Sequence, residues 1–145
     1  MILMILKQLS VFLENRPGRL AELTEKLADC GVNIRALSIA DTLHFGVLRL
    51  IVDDPDRAEA CLKDMKLPVT ITDVLSVRVD DTPGALAGIM RLLADGGVQV
   101  EYMYAFVSRE EGKAGVVIRV DDESKAKELL IGAGYTGLGG GSDTL

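Results

Sequence analysis

The sequence predicts an α+β chain in which one β-α-β-β-α-β unit is written twice. Three observations predict it. Segments of strand periodicity alternate with segments of helical periodicity along the whole chain. The stretch Leu13-Glu14-Asn15-Arg16-Pro17-Gly18-Arg19-Leu20-Ala21 returns as Val79-Asp80-Asp81-Thr82-Pro83-Gly84-Ala85-Leu86-Ala87, at an offset of 66 residues. The same offset relates Leu27-Ala28-Asp29 to Leu93-Ala94-Asp95, Gly31-Val32 to Gly97-Val98, and Asn33-Ile34 to Gln99-Val100. From Asp53-Asp54 and Asp121-Asp122 onward the offset is 68, so the second copy carries two extra residues. The predicted units are 1–72 and 73–145.

Taken in order, Leu9, Val11 and Leu13 alternate with Ser10, Phe12 and Glu14, which is a strand. The polar turn follows, with Pro17 suited to the first helical position because its missing N–H is unpaired there anyway. Leu20, Leu23, Leu27 and Cys30 fall on one helical stripe, and Gly31 ends the helix. Residues 32–40 read as a second strand, and Asp41 to His44 as a polar connection. Residues 45–52 form a third strand, apolar at nearly every position, which places it inside a sheet. Asp53-Asp54-Pro55 opens a second helix, where acids suit the positive end of the dipole. Its buried side is Ala58, Cys61, Leu62 and Met65. Leu67-Pro68 breaks it, and a fourth strand begins at Val69.

That strand runs into the second copy with no glycine or proline between Val69 and Val79, so the linker is almost absent. Copy two repeats the order: helix 83–94, strand 98–108, turn at Arg109-Glu110-Glu111-Gly112, strand 114–120, and a helix from Glu123 with Leu129 and Leu130 inward. A weak last strand is expected at Tyr135-Thr136-Gly137-Leu138, then a flexible tail led by Gly139-Gly140-Gly141. Each copy thus reads as a ferredoxin-like unit, a four-stranded antiparallel sheet with two helices on one face. The other face of copy one, with Phe12, Val47, Arg49 and Ile51, is too apolar for open water and should meet another module or protein.

Bulk properties exclude several classes. Units of about seventy residues are marginal alone and are expected to pack on each other or on a second chain. Sixteen basic and 22 acidic residues give a net charge of −6, a surface that repels phosphate backbones and argues against nucleic-acid binding. The opening Met1-Ile2-Leu3-Met4-Ile5-Leu6 lacks a basic flank and is far short of the ~20 residues of a membrane span. Cys30 and Cys61 have no partner at metal-ligand spacing and read as reduced thiols in a cytoplasmic protein.

The turn is where chemistry is expected. The first amides of a helix lack intrahelical partners and sit at the dipole's positive end, a ready site for a carboxylate. Gly18 and Gly84 let a ligand approach the main chain. Asn15 offers a donor and an acceptor to a zwitterion, and Asn33 can be brought against a neighbouring unit's turn by sheet-edge pairing. Copy two presents Asp81 and Gln99 there, a more acidic set suited to an ammonium group. A purely structural strand-to-helix turn is the alternative.

Glu14-Asn15-Arg16-Pro17-Gly18-x-Leu20, the apolar helical stripe, and Gly31-Val32-Asn33-Ile34 together resemble the ACT domain, a family of βαββαβ modules that bind amino acids and regulate metabolic enzymes. The resemblance covers essentially the whole chain as two tandem ACT units, and is close to the regulatory domain of bacterial phosphoglycerate dehydrogenase. It implies a non-catalytic, free-standing regulatory or sensor protein without a cofactor. It also implies a ligand held at an interface between modules, in a homodimer that serves a metabolic enzyme. The ligand-binding residues it implies are Glu14, Asn15, Arg16, Pro17, Gly18, Arg19, Leu20, Asn33 and Ile34. Their counterparts are Asp81, Thr82, Pro83, Gly84, Ala85, Leu86, Gln99 and Val100. Leu13 stands where the dehydrogenase pattern has a histidine, which favours a ligand less polar than serine.

Other candidates have bland readings. His44, the single histidine, lies in a hairpin connection with no favoured nucleophile beside it. The acid pairs at residues 53–54 and 121–122 suit helix caps better than a hard-metal site, and Asp80-Asp81 belongs to the second turn. Tyr102, Tyr104 and Phe106 alternate on one strand without the basic residues of an RNA platform, so they should cover an interface or line a pocket beside Met103. A constitutive interaction subunit with no small-molecule ligand is the alternative to an amino-acid sensor.

Overall fold

The computed structural model describes residues 5–14, 16–41, 45–107 and 110–137. The elements run β1 (Ile5–Glu14), α1 (Arg19–Asp29), β2 (Ile34–Asp41), β3 (Phe45–Val52), α2 (Pro55–Lys63), β4 (Val69–Asp80), α3 (Ala85–Asp95), β5 (Val100–Val107), β6 (Lys113–Val120) and α4 (Glu123–Gly132). They form two compact units, Lys7–Asp73 and the residues from Val74 onward together with Ile5 and Leu6. Both boundaries fall inside strands, β1 and β4, rather than in a linker.

In the first unit the strand order is β2-β3-β1, with residues 69–73 of β4 beside β1. Phe12 N–H donates to Pro68 C=O at 3.2 Å, and Lys7 pairs with Asp73 at 3.5 Å. The β1–β3 and β2–β3 pairs are antiparallel, with Leu13 opposite Gly46 and Ile39 opposite Leu48. Leu9, Val11 and Leu13 alternate onto the same face as Leu48, Leu50 and Val52, as the period of two requires. Leu23 and Leu27 of α1 and Ala58, Cys61 and Leu62 of α2 close over that face. Each wholly buried leucine there contributes about 1.5–3 kcal/mol. On the opposite face Phe12 is exposed and Ile51 is buried.

The second unit repeats the plan in the order β4-β6-β5. Leu75, Val77 and Val79 of β4 and Val116, Ile118 and Val120 of β6 meet Ile89 and Leu93 of α3 and Ala126 and Leu130 of α4. Leu129 is partly buried against this core, as is Met103. No described helix is long and apolar enough to cross a membrane.

Four expectations are corrected. The helices begin at Arg19 and Ala85, not at the prolines, because Pro17 and Pro83 belong to turns that precede them. Strands β2 and β5 begin two residues later than periodicity suggests, since the chain leaving each helix is first used to seal its end. Tyr135 to Gly137 is not a strand, although Thr136 C=O accepts from Arg78 N–H at 2.8 Å; residues 138–145 lie outside the described residues. Finally, Cys30 and Cys61 are not free thiols. They form a disulfide between the C-cap of α1 and the buried side of α2, with Cα atoms 6.4 Å apart. The expectation of a cytoplasmic protein rested on free thiols and loses that ground. His44 lies outside the described residues.

Candidate functional site

The strand-to-helix turns are built alike. Arg16 C=O accepts from Arg19 N–H at 3.3 Å, and Thr82 C=O from Ala85 N–H at 3.2 Å. Gly18 has φ 84 and ψ −12, and Gly84 φ 88 and ψ −12. These are type II turns, with proline at the second position and a left-handed glycine at the third. No described side chain caps α1 or α3, and a Cβ on either glycine would meet nothing within 4 Å. Helices α2 and α4 begin differently. Asp54 accepts from Arg57 N–H at 3.1 Å and Asp122 from Lys125 N–H at 3.0 Å, so their entrances are occupied by their own side chains.

At the first turn the sheet supplies a cavity beside the open helix entrance. Its volume is about 300 Å³, and Leu13, Glu14, Arg16, Arg19, Leu20, Ile39 and Gly46 line it. Register explains the grouping: Gly46 pairs with Leu13 on one side and Asp41 on the other, which brings the ends of β1, β2 and β3 together under α1. Leu13, Leu20 and Ile39 supply aliphatic wall.

The charged rim is a connected set. Arg19 Nη1 donates to Glu22 Oε2 at 2.9 Å, Arg16 Nη1 lies 3.5 Å from Glu22 Oε1, and Arg16 Nε lies 3.5 Å from Glu14 Oε2. The hydrogen bond from Arg19 holds the Glu22 carboxyl below the ordinary glutamate range, with the charges of Arg16 and Arg19 adding to it. The Arg19 side chain is 14% exposed, and its Nε is buried with no partner among the described residues.

The family description "ACT domain pair" matches residues 4–136. The chain belongs to the ACT-domain family. Protein BT0572 from Bacteroides thetaiotaomicron has 46% identity to it, with 92% of this chain and 91% of that one covered at a TM-score of 0.86. The regulatory subunit of aspartate kinase from Thermus flavus shares the fold at 16% identity, with coverages of 91% and 97% and a TM-score of 0.62. The corresponding Thermus thermophilus subunit, in its ligand-free form, has 15% identity, coverages of 92% and 99%, and a TM-score of 0.64. No curated protein matches the sequence.

Of the residues singled out in the first ACT unit, Glu14, Arg16, Arg19 and Leu20 line the cavity, and Pro17 and Gly18 form the turn beside it. Asn15 lies outside the described residues. Asn33 and Ile34 are at the other end of β2, roughly 25 Å from the turn at a rise of ~3.3 Å per residue. Asn33 is tied there to Asp53, whose carboxylate accepts its N–H at 2.9 Å. Gln99 is held by Asp121 in the same way at 3.0 Å, next to Val100 at the start of β5. Asp81, Thr82, Pro83, Gly84 and Leu86 are exposed, Ala85 is half-buried, and none of them lines a cavity described here. Tyr102, Tyr104 and Phe106 line none either. Ile39 and Gly46 lie outside the turn motif: they reach the turn through strand register, which the motif does not encode.

Proposed function

We propose that the chain is a non-catalytic regulatory or sensor protein that binds an amino acid at its first strand-to-helix turn. The observation that carries this reading is the cavity of about 300 Å³ at an uncapped helix entrance, rimmed by two arginines and a glutamate and walled by aliphatic side chains. The ligand carboxylate is received by the first amides of α1 and the Arg19 guanidinium, and its ammonium by Glu14. Asn15, next to the turn in sequence, is the proposed side-chain partner of the zwitterion. A homodimer formed by antiparallel pairing of two β2 edges carries Asn33 and Ile34 of one copy toward the turn of the other, closing the site. Binding then favours one arrangement of the modules, and a metabolic enzyme reads the change. The aspartate kinase regulatory subunits that share the fold lend analogy to that last step.

A second reading, a constitutive interaction subunit, draws on Leu37, Ile39 and Phe45, which are 49%, 51% and 55% exposed on β2 and β3. A thermal-shift screen against the twenty amino acids separates the two. A ligand at a hundredfold its dissociation constant stabilises by about 2.7 kcal/mol. Asn15→Ala is expected to abolish the shift in protein that stays folded. A flat response to every amino acid favours the interaction subunit.

A further inference from the structure

Resting on the amino-acid reading of the first turn, we infer that the ligand is an α-amino acid with an aliphatic side chain, and that each chain binds one such molecule, in the first unit.

The rim defines the charge of the ligand. The lining carries Arg16, Arg19 and Glu14, while Glu22, outside the lining, pairs with both arginines, so the rim offers both signs. A zwitterion satisfies both signs at once, whereas a dicarboxylate or a phosphate brings like charge to Glu14 with nothing to offer it. The wall defines the side chain. Leu13, Leu20 and Ile39 present hydrocarbon, and Gly46 leaves the floor open. A hydroxyl, amide or charged group placed against that wall loses its water and gains no partner.

The second unit keeps the uncapped helix entrance and its glycine turn but lacks the arginines of the rim and part of the wall. The positions of Arg16 and Arg19 are held by Thr82 and Ala85, so both guanidinium groups are gone. Ile39 and Gly46 are answered by Ala105 and Ala114, which cuts back one side of the wall and adds a methyl to the floor, while Val79 and Leu86 stand for Leu13 and Leu20. Among the described residues a cavity of about 240 Å³ at the end of β4 is lined by Arg78, Val79, Asp80, Lys113 and Gly134 to Thr136, with nothing from the helix entrance. Asp80, the counterpart of Glu14, is already paired with Lys113.

The test is calorimetric titration of the full chain with valine, leucine, isoleucine, alanine, serine, aspartate and lysine. Expected are one site per chain and affinities for the branched aliphatic amino acids at least about tenfold above those for alanine, serine, aspartate and lysine. Gly46→Ala puts a methyl 3.5 Å from Ile39 Cδ1, an ordinary contact that keeps the fold but raises the floor. It should weaken leucine and isoleucine by about tenfold while changing alanine little. Tighter binding of serine, aspartate or lysine at one site per chain overturns the ligand class and leaves the amino-acid reading standing. Two sites per chain overturns the single occupancy. Binding of none, in protein shown to be folded, removes the underlying reading and this inference with it.

Discussion

Asp80 and Lys113 face each other across the β4–β6 ladder and form an ion pair, at the register position where the first unit sets Glu14 opposite Phe45. The hydrogen bond to Asp80, with its charge, raises the Lys113 ammonium above the ordinary lysine range. A lysine raised by folding contributes stability that is fully present below its unfolded pKa and lost as pH rises through the folded one. The pair is exposed, so its effect on stability near neutral pH is small. In an NMR titration Lys113 should lose its proton at higher pH in the wild-type protein than in the Asp80→Asn variant. An unchanged Lys113 titration in that variant would show that the pair does not form.

The left-handed glycines give a second expectation. Gly18→Ala and Gly84→Ala meet no neighbour within 4 Å, so their cost is that of an L-residue at positive φ, about 1–2 kcal/mol each. Chemical denaturation of both variants should give losses equal within error, because the two turns share their geometry. A loss at one and not the other would mean that the turns differ in solution. On the proposed function, Gly18→Ala also weakens ligand binding and Gly84→Ala leaves it unchanged.

The two units and the order of their elements are legible in the sequence because apolar alternation and apolar stripes report burial directly. Leu9, Val11 and Leu13, and Leu23 and Leu27, are buried where periodicity puts them. The helix starts are misread because a proline in a turn and a proline at the first helical position look alike in sequence. What separates them is the positive φ at Gly18, a conformation rather than a residue pattern. Ile39 and Gly46 come from two other strands, and they reach the first turn through a register that local reasoning does not supply. The disulfide is hidden for a related reason: its cysteines sit on separate helices, 31 residues apart, and meet through α1–α2 packing. The repeat did hold a signal. Cys30 and Cys61 align with Gly96 and Leu129, so the copies differ at both positions, and a Cβ on Gly96 would collide with Leu129.

The caps yield a contrast within one chain. Asp54→Ala and Asp122→Ala each remove a side-chain acceptor from a helix entrance and should cost about 1 kcal/mol. Thr82→Ala, before a helix with no side-chain cap, should cost far less. Urea denaturation of the three variants checks the ranking, and a Thr82 loss equal to the aspartate losses would reveal a cap at the second turn.

The disulfide makes the strongest demand on experiment. It joins residues 31 apart in sequence, and in the chain-entropy account a loop of that length stabilises by about 3–4 kcal/mol by restricting the unfolded chain. The bridged residues lie on α1 and α2 of the first unit, and the second unit has no counterpart. Reduction, or Cys30→Ala, should therefore speed hydrogen exchange in α1 and α2 and leave α3 and α4 close to their original protection. If both units lost protection equally, the bridge would be acting on the whole chain rather than on one unit. If thiol titration of the folded, air-oxidised protein found two free cysteines, the bridge itself would be refuted, and the first unit would have to be held by its leucine core alone.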